Sequence, residues 1–582
     1  MNNQVNPWVN KLLGVYQYSK IGNSDNRGLD TDFAKETYIP TKLDKELLPD
    51  IIQGKFKVVF LTGNAGDGKT AFLEKVFLSL LQNGGEEVDK TPAGWTIKYN
   101  NKIFRACYDA SESEKNGKVS ANDRLIKMYD HLQGSEEPNT NIVVLTAIND
   151  GKLHAFFHEY KRNFWWLSNA VFDLVFGKHK PNNNHVCVVN LKERALVDLE
   201  FDGEKEESLF DQTLKIFSAE HNWEICGKCN SKGNCPIYYN ANAFGFSDYS
   251  IKVRSRLKLL FTISQLRKQR HNTMRNIRSA LSYIMTSNLN CEDVHEMVEK
   301  LDHTKIYSKL YFNSMFNSPD DSLVELREID PGLKLLPKLD RKIYSFHKSN
   351  QFDLLSNNLF PISNNQDFAK IELTSEEIIN SWRRRFYFEG DYDKLLEKFE
   401  EIEIYYDLIP YSHLKKYLKN LRKEGNLHLL REDISKGIAQ LEGIRDPELA
   451  KNNIMIKITQ NSKQGMTACK KFAIEDFEIF TSKNEKLYLE TMPNQMFLRH
   501  KEKGIQTRIN LDIYEILRRM AEGQLPSSEE QKPVLDELTD FKSRLHRLQS
   551  NDLLLIESNG LYHHITKIDG EIKRIQNSGV DR

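Results

Sequence analysis

The run Phe56 to Thr62 (FKVVFLT) is apolar almost without interruption and stops at a glycine-rich stretch. That pattern predicts a strand buried on both faces of a parallel sheet. From Lys69 the period changes. Phe72, Leu73, Val76, Phe77, Leu80 and Leu81 recur at helical spacing, and Asn83-Gly84-Gly85 supplies the stop. Further strand-like runs lie at Ile103 to Tyr108, Ile142 to Ile148 and His185 to Leu191, with a helical segment, Asp123 to Leu132, between the first two. Strands alternating with helices predict a parallel α/β sheet with crossovers.

Residues 206–310 read as mostly helical, interrupted by a cysteine-bearing loop at 226–237. Beyond residue 311 the pattern mixes helices (Glu376 to Phe386, His413 to Leu421, Ile513 to Met520) with short strands (Ile454 to Ile458, Leu487 to Glu490, Leu553 to Glu557). Ser527 to Lys532 reads as an exposed loop. Three domains follow from these shifts: 1–205 as a nucleotide-binding α/β core, 206–310 as a helical lid, and 311–582 as a C-terminal α+β module for partners or DNA.

Composition adds bounds. The 582 residues are 39% hydrophobic and 28% charged, an ordinary globular balance. Lys+Arg and Asp+Glu both number 82, so any nucleic-acid surface must be local. The longest apolar stretch, Phe164 to Phe176, is too short for a membrane span and is interrupted by Asn169 and Asp173. Met1-Asn2-Asn3-Gln4 does not open a signal peptide. With 7 cysteines, three of them clustered, a reducing cytoplasm and a metal site are the expectation.

Gly63-Asn64-Ala65-Gly66-Asp67-Gly68-Lys69-Thr70 fits G-x-x-x-x-G-K-[ST] and sits between the predicted strand and the predicted helix. In such a loop the glycines let successive backbone N–H groups turn inward around phosphates, and the helix N-terminus favours an anion. Lys69 is expected to reach the β- and γ-phosphates of ATP, and the Thr70 hydroxyl to ligate Mg²⁺. Hydrolysis needs an acid as well. No strand ends in a run of four apolar residues followed by two acids. The candidates are Asp150, arriving late after Ile142 to Ile148, and Asp109, closing the run Ile103 to Tyr108. Each could equally cap a strand end. Asn149 or Asn190 could hold an attacking water. Arg275 and Arg278, three apart after a predicted Thr273 cap, share a helix face where a lid could touch the γ-phosphate, or they form a solvated basic face.

Cys226-x₂-Cys229-x₅-Cys235 has the spacing of a thiolate knuckle plus a third ligand. Cys291 is the expected fourth, with His221 and His295 behind it, and zinc is the fitting ion. Cys187 lies in a strand-like run and reads as core. Two basic runs, Trp382 to Phe388 (WRRRFYF) and His413 to Lys423, interleave aromatic residues. That mixture suits phosphate contact with base stacking, or plain surface helices, which the charge balance favours.

Several stretches together carry a resemblance: Asn26-Arg27-Gly28-Leu29-Asp30, Thr37 to Asp44 (TYIPTKLD), the GNAGDGKTAF loop, Ala147 to Leu153 (AINDGKL), the cysteine cluster with Cys235-Pro236, and Thr273-Met274-Arg275 to Leu281. They resemble the bacterial P-loop ATPases typified by DptF, which act in phosphorothioation-dependent DNA restriction. The likeness covers about residues 1–300, and the strand ending Asn149-Asp150 departs from the usual acid motif. It implies a cytoplasmic AAA+-like ATPase of an antiviral restriction system, with Lys69 and Thr70 on the nucleotide and the cysteines on a structural metal. Implied partners are other defence proteins, an effector nuclease or a translocase, with DNA and self-assembly open and no membrane. A nucleotide-gated signalling switch of the STAND type and a scaffold with a degenerate ATPase are the alternatives.

Overall fold

The computed structural model describes residues 3–19, 29, 31–110, 120–176, 185–197, 207–267, 272–341, 372, 374–390, 405–422, 425, 427–444, 447–458, 466–484, 486–548, 552–557, 562–568 and 571–578. Of the stretch Asn26 to Asp30, only Leu29 falls within them. Two compact units divide the chain. The first comprises Met1–Thr262, Arg270–Glu401 and Glu485–Met492; the second comprises Ile263–Gln269, Ile402–Asn484 and Pro493–Arg582.

The first unit is α/β. Its sheet holds β1 (Val58–Thr62), β2 (Glu86–Thr91), β3 (Gly94–Tyr99), β4 (Lys102–Cys107), β5 (Ile142–Ala147) and β6 (Val186–Asn190) in the order β2-β3-β4-β5-β1-β6. β4, β5, β1 and β6 are mutually parallel, as the alternation of strands and helices predicts. β2 and β3 are antiparallel additions that the pattern did not predict. β2 (EEVDKT) is an edge strand exposed at every position, so it lacks the apolar alternation that marks a half-buried strand. The turn from β3 to β4 did leave a signal: Asn100 and Asn101 both take positive φ, the conformation two-residue hairpins need.

Period-two alternation puts the two sides of β1 into two cores. Val59 and Leu61 pack with Phe72, Leu73, Val76 and Leu80 of the helix Lys69–Gln82. Val58 and Phe60 pack on the other face with Tyr129, Phe156, Phe157 and Phe164. Within Phe164 to Phe176, Phe164, Leu167, Ala170 and Val171 enter this core, and the stretch forms the helix Trp165–Phe176. Among the described residues, no helix is long and apolar enough to cross a membrane.

The second unit is α+β. One antiparallel sheet has the order β14-β13-β12-β8-β7, from β7 (Asn453–Lys457), β8 (Met466–Ala473), β12 (Asp552–Glu557), β13 (Tyr562–Ile568) and β14 (Glu571–Ser578). A smaller one joins β9 (Phe477–Asn484), β10 (Met492–His500) and β11 (Gln506–Arg508).

Two expectations for this part of the sequence fail for identifiable reasons. Ser527 to Lys532 is not a loop. Ser527 caps the helix Ser528–His546, and Glu530 returns the bond to the Ser527 backbone, so a polar first turn resembled a loop. Leu487 to Glu490 is not a strand but a turn with Tyr488 at φ +66°. Its apolar residues Tyr488 and Leu489 are apolar because they enter the core beside β1.

Candidate functional site

The Gly63–Thr70 loop leaves the C-terminal end of β1, flanked by its parallel neighbours β5 and β6. Asn149, Asn190 and Asp109 follow β5, β6 and β4 at the same edge, because parallel strands all deliver their C-termini to one side. Gly63, Gly66 and Gly68 have φ of +137°, +93° and +93°. A side chain is strained at such angles, so the glycines are a backbone requirement. Space forbids one as well. A Cβ on Gly63 would stand 2.6 Å from the Asp67 carboxylate, and one on Gly66 would stand 2.8 Å from Cβ of Arg275.

Inside the loop, the buried Asp67 carboxylate accepts a hydrogen bond from the Asn64 N–H at 2.6 Å and so staples its two limbs. Lys69 folds back, its Nζ donating to the carbonyls of Gly63 at 2.9 Å and Asn64 at 2.7 Å. Burial lowers its pKa, while the charges of Asp67, Asp109 and Asp150 oppose that shift and Lys192 adds to it. A desolvated cation among left-handed glycines, at a helix N-terminus whose first N–H groups have no partner within the helix, can hold a polyanion.

Both acids predicted from sequence are therefore electrostatic neighbours of Lys69. The Asp150 carboxylate is ion-paired to Lys192 at 2.7 Å. Burial pushes Asp150 up, but hydrogen bonds from Lys192 and the Thr62 hydroxyl, with the charges of Lys192 and Lys69, outweigh it and leave the carboxyl below its usual range. The backbone carbonyl of Asp109 accepts from Arg124 at 2.9 Å. Asn149 caps the helix Asp150–Glu159 by accepting from the Lys152 N–H at 2.7 Å. Asn190 likewise accepts from the Lys192 N–H at 3.1 Å.

Thr273 caps the helix Met274–Thr286, as its sequence predicts. That helix starts on the loop: the Arg275 N–H donates to the Gly66 carbonyl at 3.2 Å. Arg278 is held elsewhere. It donates to the carbonyl and hydroxyl of Thr37 at 3.0 and 2.7 Å and lies over the rings of Phe217 and Phe33. Burial lowers its pKa to about 10. Of the two arginines, the fold brings Arg275 to the loop and commits Arg278 to the N-terminal segment.

The four cysteines lie on three elements: the turn Glu224–Lys228 with Cys229 at its end, the N-cap of the helix Pro236–Gly245, and the first residue of the helix Cys291–Glu299. Burial, with Cys226, Cys291 and Cys229 adding to it, pushes Cys235 up to about 12. Burial takes Cys291 to about 11, with Cys226 and Cys229 again among the causes. Amides are aimed at the sulfurs. Asn6 donates its backbone N–H to Cys291 Sγ and its side-chain amide to Cys226 Sγ, both at 3.3 Å, and the Tyr238 N–H donates to Cys235 Sγ at 3.4 Å. His295 Nε2 lies 3.6 Å from Cys229 Sγ, whereas His221 is exposed. Among the described residues, no three His, Cys, Asp or Glu side chains are close enough to enclose an ion. Cys187 is buried in β6, as the reading of core predicts.

The basic run Trp382 to Phe388 is no surface. Arg383 pairs with Asp340 at 2.7 Å, Arg384 with Asp330 at 2.6 Å, and Arg385 with Glu389 at 2.8 Å, and in all three pairs both side chains are largely buried. In the second run, Leu414, Tyr417, Leu418 and Leu421 are buried while Lys416 and Lys419 are exposed, which is the plain amphipathic reading.

One residue of the site escaped sequence reasoning. Arg194 follows the short turn Leu191–Glu193 after β6, is 4% exposed, and donates from Nη2 to the Asp67 carbonyl at 2.5 Å. No spacing rule connects it to the loop; only the parallel pairing of β6 with β1 does. Comparison with protein-family models, with curated proteins and with solved structures gives no match.

Proposed function

We propose that the chain is an AAA+-like P-loop ATPase that binds ATP with Mg²⁺ at the Gly63–Thr70 loop and serves a bacterial, cytoplasmic DNA restriction or antiviral system. The observation that carries the nucleotide reading is the loop itself. It has three left-handed glycines, an N-terminal helix opening at Lys69, and a lysine placed on the loop's own carbonyls with Asp109 and Asp150 beside it. The defence role rests on the resemblance to DptF-type ATPases.

In this reading Lys69 leaves the loop carbonyls for the β- and γ-phosphates, and the N–H groups that open the helix take the remaining oxygens. The Thr70 hydroxyl and one of the two acids would hold Mg²⁺, which would supply charge neutralisation for phosphoryl transfer. Asn149 is engaged as a helix cap, so its contribution is to set where Asp150 begins the helix. Arg275, on the lid helix that bonds Gly66, is the arginine placed to feel the nucleotide. DNA engagement, where it occurs, uses surfaces other than Arg383 to Arg385, since those are buried in ion pairs.

The cysteines suit zinc by donor type, and the amides of Asn6 and Tyr238 suit thiolates. Cys226, Cys229, Cys235 and Cys291 would hold it, closing the lid's cysteine-bearing loop onto Asn6. Its contribution is structural.

The test is ATP binding and turnover by the whole chain, with and without DNA, beside Lys69→Ala, Asp109→Asn and Asp150→Asn. Turnover lost in Lys69→Ala and in one acid variant supports the ATPase and names its acid. Tight ATP binding with no turnover under either condition turns the reading to the switch or the scaffold. Absence of ATP binding ends it.

A further inference from the structure

The buried Arg194 and the half-buried Glu490 form a pair that no motif accounts for. The Arg194 guanidinium lies behind the loop, its Nη2 bonded to the Asp67 carbonyl and 3.8 Å from where a Cβ on Gly68 would stand. Glu490 lies on the turn after Tyr488, the stretch that joins β9 to β10. Its Oε1 accepts the Lys42 N–H at 2.7 Å, and its backbone carbonyl accepts the Ala195 N–H at 3.2 Å. The remaining oxygen, Oε2, faces Nε of Arg194 across 4.0 Å. Both of those atoms are buried without a hydrogen-bond partner. Buried polar atoms are rarely left so, because each forfeits the hydrogen bonds it made to water.

Peptide geometry says what the Arg194 bond does. Across a trans peptide the carbonyl of one residue and the N–H of the next point in opposite directions. Holding the Asp67 carbonyl on Arg194 therefore turns the Gly68 N–H away from the guanidinium. Gly68 permits this because its φ of +93° is open to glycine. Glu490 in turn sets the guanidinium, and a movement of about 1 Å would close the pair to charge-assisted hydrogen-bond length.

We infer that Arg194 is a positioning residue for the phosphate cradle, holding the Gly68 N–H toward the nucleotide, and that Glu490 acts only through it. The inference rests on the nucleotide reading proposed above. The part of Arg194 is to shape a donor of the cradle through the Asp67 carbonyl. Tyr488 and Leu489, in the core with Val59 and Leu61, anchor the stretch that carries Glu490.

The experiment is calorimetric titration of the full chain with Mg-ATP and, separately, with inorganic tripolyphosphate, for the wild type, Arg194→Met, Arg194→Lys, Glu490→Gln and the double variant Arg194→Met/Glu490→Gln. Nucleotide-free melting is recorded for each. The expected result is a loss of about tenfold in affinity for both probes in Arg194→Met, partial recovery in Arg194→Lys, and a loss of about threefold in Glu490→Gln. The double variant binds no more weakly than Arg194→Met. Glu490→Gln is isosteric and keeps the acceptor for Lys42, so it tests the pair even where Arg194→Met fails to fold. Wild-type affinity in Arg194→Met or Glu490→Gln, or additive losses in the double variant, overturns the inference and leaves the nucleotide reading standing. A wild type that binds neither probe removes both.

Discussion

The first unit holds two sets of basic residues that invite opposite readings from sequence. Arg383, Arg384 and Arg385 are consecutive and flanked by aromatics, the pattern of a nucleic-acid surface, yet each is buried against its own carboxylate. Lys69, Lys192, Arg194 and Arg275 are scattered over more than two hundred residues, yet the parallel order of β5, β1 and β6 and the start of one helix gather them at a single loop. In the first set every charge is matched by an acid. In the second, Lys192 is matched by Asp150 while Lys69 rests on carbonyl oxygens and is desolvated, so a polyanion has something to gain there. Whether a cation is available for function depends on how it is neutralised, and proximity in sequence does not reveal that.

The comparison breaks most visibly at Lys69. Lys69→Ala is expected to lower ATP turnover by about 10²-fold or more with little change in nucleotide-free melting, since the lysine serves the ligand rather than the core. Comparable melting losses in Lys69→Ala and in arginine-run variants would erase the distinction.

The reverse is expected of Glu389. Its carboxylate takes Arg385 and the hydroxyls of Tyr239 at 2.6 Å and Tyr311 at 2.9 Å, with Glu389, Arg385 and Tyr311 buried. Glu389→Ala takes the carboxylate away from a buried cation and should cost about 3–5 kcal/mol in denaturant unfolding of the first unit. Replacing the pair together, Arg385→Met with Glu389→Leu, should recover most of that loss. Failure to recover would mean that the tyrosine hydroxyls, and not the pair, dominate.

Cys235→Ser should reduce bound zinc, measured by elemental analysis, from about one ion per chain to a small fraction, and chelator should destabilise the wild type but not the variant. Equal metal content in both would remove the cysteine centre.

The smallest effect sharpens the picture of Lys69. Its pKa is lowered in the free protein by burial, and a bound polyphosphate favours the protonated form and raises it. Binding should therefore take up a proton, and affinity should weaken as pH rises through the free-state value, below that of an ordinary lysine. Calorimetry in buffers of different ionisation enthalpy measures the proton. Affinity that is flat into the alkaline range, with no proton uptake, would show that Lys69 stays fully charged before ATP arrives.

Much of this molecule was legible in the residues. The strand-loop-helix around Gly63–Thr70 followed from an apolar run, glycine spacing and helical period, because local sterics decide those features. The cap at Thr273 and the core role of Cys187 also follow the sequence reading. The hairpin of β2 and β3 did not, since an edge strand exposed on both faces carries no alternation. The helix beginning at Ser528 was hidden by its own polar first turn. Only the tertiary structure could place Arg194 and Glu490 behind the loop, bury Arg383 to Arg385, and send Arg278 to Thr37. Those outcomes depend on which distant carboxylate or carbonyl neutralises each charge in a desolvated setting, and no local pattern in the chain encodes such a partner.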